Sequence, residues 1–178
     1  SQAAGARDLR LEDGMRRFGI TGTSGSGKTT LITALLPALR AQGLRVSTIK
    51  HAHHGFDMDR PGKDSWRHRE AGAEEVMVVS DGRWALLHES RDAGDLGLEA
   101  IVARMAPVDL LLVEGFRDTA LPKLEVYRPA TGKPPHFPDD PGIMAIATDG
   151  HVVMADRPVL PLADIATIAS FILSEAAP

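Results

Sequence analysis

A glycine-rich run near the start of the chain has the residue types and spacing that bind phosphate. The run fits the pattern G-x-x-x-x-G-K-[ST] and lies between an apolar stretch and an amphipathic one. Its glycines permit positive φ angles, so backbone N–H groups can close around phosphate oxygens, and the helix that follows points its positive end at the same anion. We therefore predict a nucleotide-binding loop made of Gly22, Thr23, Ser24, Gly25, Ser26, Gly27, Lys28, Thr29 and Thr30.

Two side chains of this loop, and one acid outside it, have predicted roles in chemistry. Lys28 would reach the β- and γ-phosphates, and the Thr29 hydroxyl would ligate Mg²⁺. Glu114 directly follows the apolar run Asp109–Val113, whereas Asp109 would lie at the opposite end of that strand. Glu114 is therefore predicted to hold a Mg²⁺-bound water or to orient an attacking one. The alternative is a solvated carboxylate at a strand end.

A polar block starts at the end of the second predicted strand and reads TIKHAHHGFDMDRPGKDSWRHREAGA over residues 48–73. One interpretation is a nucleotide-responsive switch, in which Lys50 contacts phosphate and Asp59 completes the Mg²⁺ shell as a third catalytic residue. A second interpretation is a zinc site, because His51, His53 and His54 precede two acids. The third is a solvated polar loop. The absence of cysteine and the predicted use of Mg²⁺ make zinc the weaker choice.

Short apolar runs alternate with helical patterns along the chain, which indicates βαβ units. We predict an α/β fold of the P-loop NTPase type: a mainly parallel twisted sheet flanked by helices, with a small antiparallel hairpin in which Trp84 is a sheet or dimer-interface aromatic. Residues 15–178 are predicted to form one domain, and residues 1–14 a flexible extension or a cloning remnant. The predicted strands are 17–21, 44–49, 75–79, 84–88, 109–113, 123–127 and 143–147, and the predicted helices are 28–42, 63–71, 96–105 and 164–174.

Composition excludes several classes of protein. The 178 residues contain no cysteine, which excludes disulfides and thiol nucleophiles. A net charge of −4 gives no basic footprint for nucleic acid. No apolar run approaches the roughly 18 to 20 residues of a membrane span. We therefore expect a cytoplasmic protein that binds neither nucleic acid nor membrane.

Five segments together resemble one family. GTSGSGKTTL, IKHAHHGFDMDRPGKDSWRHREAGA, RWALLHE, DLLLVEGF and PKLEVYR are similar to the molybdopterin-guanine dinucleotide biosynthesis adaptor proteins, the MobB family. The resemblance implies a homodimer that binds GTP with Mg²⁺ and hydrolyses it slowly. It also implies association with the molybdenum cofactor guanylyltransferase and molybdopterin-handling enzymes. Gly22–Thr30 fall on the family's phosphate loop and Glu114 on its second acidic motif, whereas Lys50, His51, Asp59, Gly62, Lys63 and Ser65 fall on its characteristic polar block.

Recognition of guanine leaves two interpretations open. GTPases commonly read the base with an Asp from an Asn-Lys-x-Asp tetrad, which this chain lacks. Thr148-Asp149, at the end of a late strand, could serve as a reduced version, and a plain Asp149-Gly150 turn explains the same residues. Two rival functions also remain: a small-molecule kinase, and a metallochaperone that uses the histidines of the polar block.

Overall fold

The computed structural model describes residues 14–52, 55–91, 94, 96–152 and 155–176. The chain divides into two compact units. Among the described residues, the larger unit comprises those up to His51 and those from Met105 onward, and the smaller unit comprises those from Ala52 to Arg104. The single domain predicted over residues 15–178 stays a prediction. Within the described residues, no helix is both long and apolar enough to cross a membrane.

A parallel sheet of six strands forms the larger unit. Its strands are β1 (Arg16–Thr21), β2 (Val46–Lys50), β5 (Leu110–Glu114), β6 (Lys123–Tyr127), β7 (Ile143–Thr148) and β8 (Val159–Pro161). They lie in the order β2-β5-β1-β6-β7-β8, and every neighbouring pair is parallel. The later strands thus flank β1 on both sides, so its carboxyl end lies where ligands bind in open α/β sheets.

Two helices cover one face of this sheet. Helix α1 (Lys28–Arg40) buries Leu31, Leu35 and Leu39, whose spacing puts them on one side of the helix. Helix α4 (Ile165–Glu175) packs beside α1 and adds Ile168 and Ile172 to the same core. Alternate residues of the strands complete this core, including the fully buried Phe18, Ile20, Leu110, Leu112, Leu124 and Val126.

The opposite face of the sheet carries buried polar side chains. Lys123 and Glu125 alternate with the apolar core residues of β6 and are 4 % and 0 % exposed. Gly19 of β1 lies opposite Lys123, and a Cβ at Gly19 would come within 2.7 Å of the Lys123 Cγ. The Lys123 ammonium donates to the Arg117 carbonyl oxygen at 2.7 Å and to the Asp140 carboxylate at 3.0 Å. The buried Lys123 on this face is therefore hydrogen-bonded to other polar groups of the larger unit.

The smaller unit contains two short helices and a hairpin: α2 (Asp64–Glu70), β3 (Glu75–Ser80), β4 (Arg83–His88) and α3 (Leu98–Val102). The hairpin is antiparallel, as predicted, and pairs Ser80 with Arg83 around a two-residue turn. Helix α3 is shorter than the predicted 96–105 because Gly97 is extended at its start and Ala103 already ends it. Trp84 is 65 % exposed, and it belongs to an exposed apolar set with Met77, Val78, Val79 and Leu86.

Short elements near prolines account for the differences in the larger unit. Strand β8 has three residues and ends in Pro161, and a single 3₁₀ turn spans Pro129–Thr131. Neither was predicted, because a short proline-bearing edge strand has no clear apolar alternation. The remaining predicted elements are present, with ends shifted by one or two residues.

Candidate functional site: a phosphate loop at the carboxyl edge of the sheet

The glycine-rich loop joins β1 to α1 and takes a conformation that requires its glycines. Gly22, Gly25 and Gly27 have φ angles of 147°, 81° and 100°, and Gly27 is the residue that precedes the first turn of α1. At Gly22 an added Cβ would lie 2.5 Å from the Val126 carbonyl oxygen and 2.7 Å from the Ser26 hydroxyl oxygen. The loop is therefore a tight cradle that a side chain at Gly22 would fill.

Lys28 folds back on this cradle. Its ammonium donates to the carbonyl oxygens of Gly22 and Thr23 at 2.9 and 3.0 Å. Burial lowers the pKa of Lys28, and the charges of Lys50 and Lys133 lower it further, whereas the Glu114 carboxylate opposes this shift. A phosphate group entering the cradle would offer this ammonium charged oxygen partners in place of neutral carbonyls, which strengthens its hydrogen bonds.

The donor set of the cradle fits a phosphate with Mg²⁺. The Ser26 hydroxyl oxygen is buried and has no hydrogen-bond partner within the described part of the chain. Thr29 and Thr30 are exposed in the first turn of α1. Hydroxyl and carboxylate oxygens are the hard ligands that Mg²⁺ prefers, and it commonly keeps several waters beside them. Thr29 and Glu114 are thus suitable candidates for a metal bound together with a nucleotide.

Glu114 ends β5, between the strand that leads into the cradle and the strand that ends in Lys50. It pairs in register with Ile20 on one side and with Lys50 on the other. Its carboxylate lies 3.9 Å from the Lys50 ammonium, and its side chain is 13 % exposed. Asp109, one residue before the strand begins, accepts a hydrogen bond from the backbone N–H of Arg45 at 2.6 Å. The structure thus brings Lys28, Lys50 and Glu114 together and leaves Asp109 at the other end.

A sharp turn after Glu114 fixes the ends of β2 and β5 against each other. Gly115 has φ 93°, and a Cβ there would lie 2.7 Å from the Cβ of His51. Phe116 has φ 51°, the one positive value among the described non-glycine residues. The His51 ring stacks on the Phe116 ring at 4.6 Å, and its backbone N–H donates to the Glu114 carbonyl oxygen at 2.8 Å. This packing holds the backbone from which Lys50 and Glu114 project.

Asp149 follows β7, and its carboxylate has a partner that the sequence did not suggest. The Arg128 Nε donates to the Asp149 carboxylate at 2.7 Å, and both side chains are about two-fifths exposed. A Cβ at Gly150 would lie 2.9 Å from the ring of Pro129, so this turn packs closely on the chain after β6. Asp149 is therefore set at the carboxyl edge of the sheet, in an ion pair with Arg128.

Asp59 belongs to the smaller unit, where its carboxylate is engaged. It accepts hydrogen bonds from the Ser65 hydroxyl at 3.0 Å and from the Arg69 Nε at 2.8 Å. Arg69 also binds Asp57 at 2.9 Å and pairs with Glu89, and its pKa is raised mainly by the bond to Glu89 and also by the bond to Asp59. The role of Asp59 as a Mg²⁺ ligand stays a prediction.

The alternative zinc site depends partly on residues outside the described ones. His53 and His54 are among the residues the structure does not describe, whereas His51 is packed on Phe116. Among the residues that are described, no group of three or more His, Asp or Glu side chains could hold a metal ion. The histidine-dependent metal site therefore stays a hypothesis.

Comparison with known proteins gives a consistent result. The family model described as molybdopterin guanine dinucleotide synthesis protein B, MobB, matches residues 18–149. The chain is 43 % identical over 156 residues to the molybdopterin-guanine dinucleotide biosynthesis adapter protein of Haemophilus influenzae, covering 87 % of this chain and 86 % of the relative. It is 40 % identical over 153 residues to the adapter protein of Escherichia coli, covering 84 % and 87 %.

A solved structure agrees with the fold. The crystal structure of Bacillus subtilis MobB superposes with a TM-score of 0.71 at 26 % identity, covering 90 % of this chain and 98 % of that one. The P-loop NTPase-type α/β fold predicted from the sequence, with its small antiparallel hairpin, is thereby confirmed.

Proposed function

Because the chain belongs to the MobB family of molybdopterin guanine dinucleotide synthesis proteins, we propose that it is a GTP-binding adaptor with weak Mg²⁺-dependent GTP hydrolysis. Its curated relatives carry the name adapter protein of this biosynthesis, and family membership supports that role here. The observation that carries the nucleotide-binding part is the phosphate loop: three glycines at positive φ lead into α1, with Lys28 bonded to the carbonyls of the loop.

Binding would depend on the loop and on the two neighbouring strand ends. Backbone N–H groups of Gly22–Thr30 would donate to phosphate oxygens, and Lys28 would exchange its carbonyl partners for phosphate. Thr29 and Glu114 would ligate Mg²⁺ directly or through water, and Asp59 is the third proposed ligand. When bound, Mg²⁺ supplies neutralisation of phosphate charge and holds the phosphates in a fixed orientation. Lys50, 3.9 Å from Glu114, adds positive charge beside the cradle.

Slow hydrolysis is consistent with the charged groups at the site. Lys28 can stabilise negative charge that develops on the phosphates, and Glu114 can orient a water. The Glu114 carboxylate also lies 3.9 Å from the Lys50 ammonium. A kinase would need an acceptor site in addition, so detection of a phosphorylated small-molecule product, rather than free phosphate, would favour that alternative.

Guanine would be read by Asp149. A carboxylate can accept hydrogen bonds from the N1–H and the 2-amino group of guanine, whereas adenine offers no such pair. The Arg128 partner keeps this carboxylate at the edge of the sheet, at 2.7 Å from its Nε. Base reading by Asp149 predicts a preference for GTP over ATP that Asp149→Ala abolishes.

The partners we propose are the molybdenum cofactor guanylyltransferase, other molybdopterin-handling enzymes and a second copy of this chain. The exposed apolar side chains of the β3–β4 hairpin, Met77, Val79 and Trp84 among them, support self-association, since patches of this kind are typical of interfaces. A cytoplasmic location remains part of the proposal.

Calorimetric titration with GTP and with ATP in Mg²⁺ tests the proposal, alone and with the guanylyltransferase present. Lys28→Ala should weaken GTP binding at least about tenfold, which corresponds to about 1.4 kcal/mol. Glu114→Gln should lower turnover with a modest change in affinity, because its proposed contacts are to the metal and water. Arg40→Ala, at the opposite end of the 13-residue helix α1, is the control for loss of one positive charge. Unchanged GTP affinity in Lys28→Ala would refute the assignment.

A further inference from the structure

The connection between β6 and β7, residues 128–142, is fastened to the polar face of the sheet. The Glu125 carboxylate, which is fully buried, accepts hydrogen bonds from the backbone N–H groups of His136 at 2.7 Å and Phe137 at 2.8 Å. The Phe137 side chain is 6 % exposed and packs with Ile143 and Ile146 of β7. A charged acceptor with two backbone donors, beside a buried ring, is a strong anchor. The 128–142 connection therefore has a fixed path.

That path carries two cationic side chains to the phosphate loop. The Lys133 ammonium donates to the Ser24 carbonyl oxygen at 2.8 Å. Arg128, at the start of the connection, has its Cδ 3.9 Å from the position that a Cβ would take on Gly27. Ser24 and Gly27 both belong to the cradle, so the connection lies directly against it.

Lys133 has a neutral partner where a charged one would be stronger. Among the residues that the structure describes, no carboxylate lies within 4.0 Å of its ammonium, and its side chain is exposed. The positive charges of Lys133 and Lys50 both lower the pKa of Lys28, and the negative charge of Glu114 raises it. Three ammonium groups against one carboxylate leave an excess of positive charge around the cradle, and such an excess suits a polyphosphate.

We propose that Lys133 is a second phosphate-binding lysine of this site, supplied by the 128–142 connection, and that its ammonium transfers from the Ser24 carbonyl to the phosphates of the bound nucleotide. The inference rests on the proposed function, because it adds a contact to the same site. A structural brace is the competing role: in that case the Lys133–Ser24 hydrogen bond only supports the loop, and the charge contributes nothing to binding.

Substitutions of Lys133 can distinguish a role of its charge in binding from structural support of the loop through the Ser24 hydrogen bond. Lys133→Gln keeps an N–H₂ donor for the Ser24 carbonyl and removes the charge, whereas Lys133→Arg keeps the charge. Arg40→Gln removes one positive charge at the far end of α1, about 20 Å from the cradle. Affinities for GTP, GDP and GMP would be measured by calorimetry in the full chain with Mg²⁺, at two salt concentrations, after thermal melts show that each variant is folded.

Loss of a charge-assisted hydrogen bond predicts a graded effect. Lys133→Gln should weaken GTP binding about tenfold or more, GDP binding less and GMP binding least, with a smaller dependence on salt than the wild type. Lys133→Arg should stay within about threefold of the wild type. Equal affinities in Lys133→Gln and Arg40→Gln, with Lys28→Ala still impaired, would overturn the Lys133 proposal alone. If the wild type does not bind GTP, both proposals are overturned.

Discussion

Replacement of Gly22 by alanine would destabilise the protein in two ways, through backbone strain and through close contacts of the new Cβ. Gly22 has φ 147°, where side chains are strongly disfavoured, and it also lies against other atoms of the larger unit. The new Cβ would lie 2.5 Å from the backbone oxygen of Val126 and 2.7 Å from the Ser26 hydroxyl oxygen. Val126 is a fully buried residue of β6, which is paired with both β1 and β7, so its carbonyl cannot move without moving the sheet.

The two costs add to a large loss of stability. Backbone strain at a φ reserved for glycine costs about 1–3 kcal/mol. Overpacking against groups that cannot yield costs about 1–3 kcal/mol more. Gly22→Ala should therefore lower the free energy of unfolding by about 2–6 kcal/mol, a large part of the total for a small domain. Gly25→Ala should cost only about 1 kcal/mol, because φ 81° is strained but nothing lies within 4 Å of the new Cβ.

Urea unfolding followed by circular dichroism measures both losses. Gly43→Ala is the matched control, since Gly43 has φ 82°, open space around its Cβ position and a place beyond the far end of α1. Gly25→Ala and Gly43→Ala should lose similar stability, and Gly22→Ala clearly more. A loss for Gly22→Ala no larger than that for Gly25→Ala would show that the contact with Val126 does not constrain the loop.

Two further predictions concern titration and nucleotide response. Burial, and after it the charge of Arg117, lowers the pKa of His136 below its ordinary 6.5, so the unfolded chain takes up a proton first as the pH falls. This group therefore costs stability from about pH 6.5 downward, and His136→Gln should lose less thermal stability than the wild type between pH 7.5 and 5; parallel curves would contradict the shift. In the predicted switch, amide exchange across residues 51–65 should slow most with a non-hydrolysable GTP analogue and less with GDP. Equal protection with and without nucleotide would leave a rigid or solvated loop.

The phosphate loop could be predicted from the sequence because the residues that determine its conformation are neighbours in the chain. The strand, the glycines and the first turn of α1 are consecutive, and each residue type follows from the conformation of that position. Glu114 was within reach for a similar reason: a buried parallel strand that ends in an acid places the acid at the same edge as the loop. Its separation from Asp109 follows from the direction of β5 alone.

Lys133 and Arg128 were missed because their positions depend on contacts between distant parts of the chain. Ser24 and Lys133 are 109 residues apart, and the proline-rich connection has no periodicity that would indicate its path. One indication was available in β6. Lys123 and Glu125 alternate in a strand predicted to lie in a parallel sheet, whose faces are both buried. Two ionisable side chains on one buried face require hydrogen-bond partners. The 128–142 connection supplies two of them, the backbone N–H groups that donate to Glu125.

In the polar block, the residue types suggested metal-binding chemistry, but they did not indicate which side chains Asp59 contacts in the structure. Asp59 was predicted to complete the Mg²⁺ shell; its side chain is 9 % exposed, and its oxygens accept hydrogen bonds from Arg69 and Ser65. Each Asp59 oxygen already accepts one hydrogen bond, so Mg²⁺ would either bind a remaining lone pair or displace Ser65 or Arg69. Arg69 would still keep Asp57 and Glu89 as partners, which reduces the cost of releasing Asp59. Displacement of Arg69 from Asp59 by Mg²⁺ would change amide hydrogen exchange around Ser65, whereas ligation through a remaining lone pair would leave the Arg69 and Ser65 contacts in place.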